Sequence, residues 1–112
     1  MRFIQYEPFA EIVADLDAYS DPIEISSVFA MGMHAHVISG TAKGKCFFQV
    51  SCDPIGSTNP SNFVTYGSGA DLTGSATQAY SFTEVAANWV RIFWDHSSGT
   101  GTLRVHIKTN GY

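Results

Sequence analysis

The sequence predicts an all-β protein, an antiparallel two-sheet sandwich that is jelly-roll-like, with about seven or eight strands and an N-terminal arm. Two observations lead to this prediction. Short segments alternate apolar with polar residues, and turn signals separate them at intervals of about 8–12 residues. Aromatic residues make up 13% of the 112 residues, whereas only 14% are charged. A chain of this length forms one domain.

Residues 45–53 form the best-patterned strand of the first half. Cys46 and Phe48 fall on one face, and Lys45 and Gln49 fall on the other. This period of two is typical of a strand with one buried face. The remaining strands are expected at 23–27, 31–39, 63–66 and 77–82, and the long loops at 54–62 and 67–75.

The last third of the chain alternates most regularly. Residues 89–95 and 102–109 each have one apolar face, and residues 96–101 between them are rich in serine and glycine. This pattern predicts a terminal antiparallel hairpin. The segment 40–44 predicts a second hairpin loop between the strands on either side of it.

Residues 1–17 form the N-terminal arm, and residues 18–112 form the sandwich. Phe9, Ile12 and Leu16 follow the spacing of one helix face, but the same segment serves equally as short strands. We favour a strand or extended arm over a short helix because everything downstream is β. A chain without residues 1–17 is expected to keep the folded sandwich and to lose its incorporation into a larger assembly.

The acidic residues are concentrated near the N-terminus. The whole chain carries a formal net charge of −4, whereas residues 1–24 hold six carboxylates against one arginine. Neither half has the basic stripe that nucleic-acid binding needs, so no nucleic-acid partner is expected. We expect the arm to dock on a basic surface of a larger assembly or on a neighbouring subunit. Its candidate interface residues are Glu7, Glu11, Asp15 and Asp17.

No membrane or disulfide is expected. The chain has no apolar run of about 18 residues, which a membrane helix requires, and no signal-peptide pattern at its start. Cys46 and Cys52 would lie about 20 Å apart along a straight strand, too far for a bridge. The pattern favours two buried free thiols and production in a reducing cytosol.

His34 and His36 form an H-x-H pair and would share one strand face, a workable geometry for two ligands of Zn²⁺ or Cu²⁺. Further ligands could come from Asp95, His96 or His106. Two alternatives remain open: surface imidazoles on a half-exposed strand, or side chains that line a symmetry axis between copies.

No catalytic residues and no cofactor are expected, so the protein is not predicted to be an enzyme. Asp95, His96 and Ser97 are consecutive, and neighbouring residues on a turn cannot point at one another as a catalytic triad requires. The glycines at 67–69 and 99–101 lie between strands and are turn residues, not phosphate-binding loops.

Phe47, Trp89 and Phe93 fall opposite the apolar faces of their strands, so they are candidate interface residues. They could instead pack under a covering loop, another sheet edge or the arm. A third possibility is a platform on which the apolar face of a sugar stacks.

Four runs of the sequence occur in an order that resembles small β-sandwich structural proteins of tailed bacteriophages, namely decoration, head-fibre and minor tail proteins. In those proteins a G-x-x-x-x-Q-x-S-x-D strand is followed by a W-V-R strand and an S-G-T-G-T hairpin. Here the three motifs begin at Gly44, Trp89 and Ser98. The chain departs from the pattern at Cys52, where a polar residue is usual, and at 62–63, where Asn-Phe replaces Asn-Trp. The runs are 18–25, 44–53, 88–94 and 98–105.

The resemblance spans about residues 18–112 and implies a virion component that is assembled in the host cytoplasm. It implies a homo-oligomer, with a trimer favoured, and docking on the major capsid protein or on other virion proteins. Capsid decoration is the leading hypothesis. The alternative is a module that binds a glycan or receptor on the host surface through Trp89, Phe93 and the loops at 54–62 and 67–75.

Overall fold

A computed structural model describes residues 2–25 and 28–111. Over these ranges the chain forms nine strands, which build two antiparallel sheets. The predicted two-sheet sandwich is therefore confirmed. The strands are β1 (Arg2–Val13), β2 (Ala18–Tyr19), β3 (Ile23–Glu24), β4 (Val28–Gly40), β5 (Lys43–Ser51), β6 (Val64–Asp71), β7 (Gln78–Glu84), β8 (Trp89–Ser98) and β9 (Gly101–Gly111).

The strand order identifies a jelly roll. The four-stranded sheet has the order β1-β9-β4-β7, and the five-stranded sheet has the order β2-β8-β5-β6, with β3 also paired to β8. Along the chain, β5 pairs with β6, β4 with β7, β2 and β3 with β8, and β1 with β9. Successive pairs alternate between the sheets, so the molecule is one long antiparallel ribbon rolled into two layers.

Both hairpins predicted from the sequence are wrong. β4 and β5 lie in different sheets, and so do β8 and β9, so each short connection crosses between layers. The two crossings touch, because the Thr41 amide donates to the Thr100 carbonyl oxygen at 2.7 Å. Gly40 and Gly99 have φ of 86° and 74°, and a Cβ on either would collide with the other crossing. Alternation reveals which face of a strand is buried, but not which strand lies beside it.

The core lies between the inner faces of the two sheets. The alternation predicted for the strands at 89–95 and 102–109 is confirmed in the residues that face inward. The alternation predicted at 45–53 holds as far as Phe48, after which Gln49 and Ser51 are buried and Val50 is half-buried. Trp94 is fully buried at the centre, and its Nε1 donates to the Ala14 carbonyl oxygen at 3.3 Å. The other large buried side chains include Met33, Phe48, Val90, Ile92, Leu103, Val105 and Ile107.

The N-terminal segment forms a full strand of the four-stranded sheet. β1 pairs with β9 from Arg2↔Gly111 to Val13↔Thr102. Phe9 is 4% exposed and belongs to the core cluster. The short-helix alternative for this segment is wrong. Across the described ranges, no helix is long and apolar enough to cross a membrane.

Two local predictions need correction. The expected loop at 67–75 begins later, because β6 continues to Asp71 through Gly67 and Gly69, which have φ of 81° and 76°. The expectation of two buried thiols holds for Cys46 only. Burial raises the pKa of the Cys46 thiol. Cys52 is exposed, because β5 ends at Ser51 and the alternation ends with it.

Candidate interaction surfaces

Aromatic residues gather on the outer face of the five-stranded sheet. Phe47 of β5, Phe93 of β8 and Tyr19 of β2 are neighbours across these three strands. The Tyr19 ring stacks on Phe93 at 4.7 Å between centroids, and Phe93 lies 6.5 Å from Phe47. Together with Arg91 and Phe63 they form a surface that we call the aromatic–arginine row.

Arg91 is held between two rings of this row. Its guanidinium carbon lies 4.3 Å from the ring centroid of Tyr19 and 4.4 Å from that of Phe63. Its Nε donates to Gln49 Oε1 at 2.8 Å, and Gln49 Nε2 donates to Thr65 Oγ1 at 3.2 Å. Cation–π contacts at exposed sites each contribute about 0.5–1 kcal/mol. These contacts organise the row before any partner binds.

Phe47 and Phe93 point outward, as the sequence predicted for each of them, and the sheet makes them neighbours. Trp89 is not part of that surface. It is only 9% exposed, and its Nε1 donates to the Pro54 carbonyl oxygen at 3.3 Å. A covering loop, one of the alternatives open at the sequence level, accounts for Trp89, which anchors the loop at 54–62.

Asp53 fixes the other end of that loop. Its Oδ2 accepts from the backbone amides of Ser61 at 2.7 Å and Asn62 at 3.2 Å, and its Oδ1 accepts from Asn62 Nδ2 at 2.8 Å. These hydrogen bonds, that from the Asn62 side chain foremost, lower the pKa of Asp53. The loop ends directly before Phe63, so Asp53 helps to place that ring against Arg91.

The acidic residues of the N-terminal segment contact the sandwich itself. Glu11 Oε1 lies 2.8 Å from Arg104 Nη2, and Glu7 Oε1 lies 3.3 Å from His106 Nδ1. Asp15 Oδ1 accepts from the Gly101 amide at 3.1 Å. Asp17 Oδ1 accepts from the His96 amide at 2.8 Å. The four carboxylates are spread along β8 and β9 and do not form one patch.

His34 and His36 lie on the outer face of the four-stranded sheet, half-buried. Their ring centroids are 6.1 Å apart, and His106 on β9 lies 6.4 Å from His34. His34 Nε2 is hydrogen-bonded to Gln78 Oε1 at 2.9 Å. His96 is in the other sheet. In the parts of the chain that the structure describes, no three His, Cys, Asp or Glu side chains could hold a metal ion together.

Two exposed aromatic side chains on β7 were not identified from the sequence. Tyr80 and Phe82 are 63% and 80% exposed. The Phe82 ring lies over Gly32 of β4, and its Cε1 would be 2.9 Å from a Cβ there. Tyr80 stacks on His34 at 4.6 Å. Alternation alone would assign such rings to the core, but β7 is an edge strand whose inner face carries only small residues.

Tyr19 and Arg91 were also missed as members of the aromatic–arginine row. The signal for Arg91 was present, since it lies on the same strand face as Phe93. Tyr19 had no signal, because β2 has only two residues and no period can be measured over so short a run.

No protein-family model matches the chain, and no curated protein does. Among solved structures, the SPBc2 prophage-derived protein YomS is similar with a TM-score of 0.60 and 13% identity, over 96% of this chain and 92% of that chain. A second similar structure is a protein of Bacillus endospore appendages, which are disulfide-linked pili. Its TM-score is 0.43 and its identity 17%, over 98% of this chain and 89% of that chain. The chain thus shares its two-sheet fold with a small prophage-derived protein.

Proposed function

We propose that the chain is a structural protein of a bacteriophage particle, which decorates or stabilises the capsid by associating with itself and docking on other virion proteins. The aromatic–arginine row is the observation that carries this proposal. It is the docking surface, and the major capsid protein is its expected partner. In this proposal the chain is made and assembled in the host cytoplasm and ends in the virion.

The composition of the row supports a protein partner. Aromatic residues and arginine are enriched at the centres of protein interfaces, where they supply most of the binding energy. Tyr19 is 56% exposed, so a partner would bury much of its ring. Because Arg91 is already clamped between Tyr19 and Phe63, binding costs little side-chain entropy.

The fold and the sequence resemblance support the same proposal. Jelly rolls occur in viral capsid and lectin domains. YomS is a prophage-derived protein of this fold. The chain also carries only 14% charged residues, which suits a surface that neighbouring proteins cover.

A pelleting experiment tests the row. Particles produced without the chain are mixed with the purified protein, and the bound fraction is measured after sedimentation. We expect Tyr19→Ala and Arg91→Ala each to weaken binding about tenfold or more, which is typical of residues at an interface centre. Tyr66→Ala is the matched control, since Tyr66 is a 43% exposed tyrosine of the same sheet outside the row. If Tyr19→Ala and Arg91→Ala bind the particles as strongly as the control Tyr66→Ala does, the proposed docking surface is contradicted.

Recognition of a host-surface glycan is the second candidate, and the exposed Tyr19 ring favours it. The Tyr19 ring is held in place by Phe93 and Arg91, and the residue is still 56% exposed, so its hydroxyl and ring edge are accessible to a sugar. A glycan array with the purified chain separates the two candidates. Docking on the particle predicts no glycan binding, whereas saturable glycan binding that Tyr19→Ala abolishes, without particle binding, supports the second candidate.

A further inference from the structure

The free edges of the two sheets differ in how they are protected. Edge strands invite pairing with other chains unless prolines, bulges, charges or short lengths prevent it. β1 has Pro8 and two register shifts against β9. β2 and β3 have two residues each. β6 has a register shift against β5 at the positions of its two left-handed glycines.

β7 has none of these protections. It pairs with β4 without any register shift over residues 78–84, and among the described strands β4 is its only partner. It contains no proline, and its single charged residue, Glu84, lies at its very end. Its second edge is therefore a regular, uncharged row of backbone donors and acceptors.

We propose that β7 pairs antiparallel with β7 of a second copy of this chain, across a two-fold axis at Ser81. The pleat restricts the register, because residues opposite each other in a continuous sheet must point to the same face. The axis must then pass through a residue and not between two residues. Centring it on Ser81 pairs all seven residues of the strand, whereas any other centre leaves some unpaired.

This register makes the strand self-complementary. Tyr80 of one copy lies opposite Phe82 of the other copy, and the same pair recurs on the other side of the axis. Aromatic pairs opposite each other on antiparallel strands are stabilising. Tyr80 and Phe82 are 63% and 80% exposed in the single chain, so pairing covers two rings that would otherwise face solvent. Gln78 lies opposite Glu84, which brings no like charges together.

The resulting dimer has one continuous eight-stranded sheet. The aromatic–arginine row lies on the other sheet and remains free in both copies. The inference therefore does not depend on the docking proposal, and either can fail without the other. The trimer that the sequence resemblance implies would need a different contact.

Sedimentation velocity over a range of concentrations tests the dimer. All chains carry Cys52→Ser, so that the exposed thiol cannot link copies. We expect the otherwise unchanged chain to form dimers, and Phe82→Lys or Tyr80→Lys to raise the dissociation constant at least tenfold. Val64→Lys is the matched control, since Val64 is 63% exposed on the protected edge strand β6. A monomer at all concentrations, or a dimer or trimer that the β7 variants leave intact, overturns the proposal.

Cysteine cross-linking tests the register. Ser81→Cys, again with Cys52→Ser, places two thiols opposite each other at the axis, within the reach of a disulfide. Ala79→Cys is the control on the same face, since its two copies would be four positions apart, about 13 Å. We expect mild oxidation to link Ser81→Cys dimers and not Ala79→Cys dimers. Failure at 81, or equal linking at 79, excludes this register.

Discussion

At the scale of single residues, the aromatic–arginine row depends on polar groups that lie beside it. Gln49 is 8% exposed and bridges Arg91 to Thr65, so the guanidinium is held from below as well as from both sides. Asp53 acts at greater distance, through the loop that ends at Phe63. The orientation of the row is thus set by residues that a partner need not touch.

Asp53 gives the loop a predictable pH dependence. Its pKa is lowered in the folded state, so its stabilising contribution is present above the unfolded value of about 3.9 and is lost as pH falls through the lower folded value. We expect Asp53→Asn to have a lower melting temperature than the wild type at neutral pH. We also expect its melting temperature to decrease less than that of the wild type when the pH is lowered.

Circular dichroism melts between neutral pH and about pH 2 check this prediction. Asp21→Asn, at an exposed position between β2 and β3, is the control and should follow the wild-type curve. The prediction is wrong if Asp53→Asn melts like the wild type at neutral pH. Hydrogen bonds from Thr73 also lower the pKa of Asp71. Asp71 should therefore supply part of the acid sensitivity that remains in Asp53→Asn.

At the scale of strands, β1 is a structural element of the sandwich. It covers one edge of β9, and its carboxylates Glu7 and Glu11 contact the side chains of His106 and Arg104. Phe9 reaches the core from it. A chain without residues 1–17 would expose β9 and part of the core, so we now expect it to lose its fold, contrary to the expectation from the sequence.

A pair of alanine substitutions tests the role of β1. Phe9→Ala should lower the free energy of unfolding by about 3–5 kcal/mol, the usual effect of truncating a buried phenylalanine. Val13→Ala, at a 72% exposed position of the same strand, should change it by less than about 0.5 kcal/mol. Urea denaturation measures both. Similar effects at the two positions would mean that β1 does not contribute to the core as described.

The sequence predicted buried faces better than it predicted neighbours. Alternation at 89–95 and 102–109 identified the inward residues correctly because burial follows a period of two. At 45–53 it was correct as far as Phe48 and wrong at Cys52, which lies beyond the end of β5 and is exposed. It could not identify the crossings after β4 and β8, because partner choice depends on how the whole ribbon rolls. Phe47 and Phe93 were found as surface residues. Tyr80 and Phe82 were missed because large rings usually face the core, whereas on β7 the large rings face outward and the small residues face inward.

At the scale of the whole molecule, the jelly roll separates the two proposed contacts. The aromatic–arginine row occupies the outer face of one sheet, and the unprotected β7 closes one edge of the other. Two copies could join through β7 while each presents its row to a larger surface. Such a dimer would bind a particle at two points and gain avidity if the spacing of the sites on the shell matches.

The amount of the chain in mature particles tests the central claim most directly. Particles made from the genome that encodes the chain are purified on a density gradient, and quantitative mass spectrometry compares the copy number of the chain with that of the major capsid protein. A structural protein of the virion should be present at a fixed ratio that survives repeated purification. Its absence from purified particles, with the chain remaining in the cell lysate, would contradict the account.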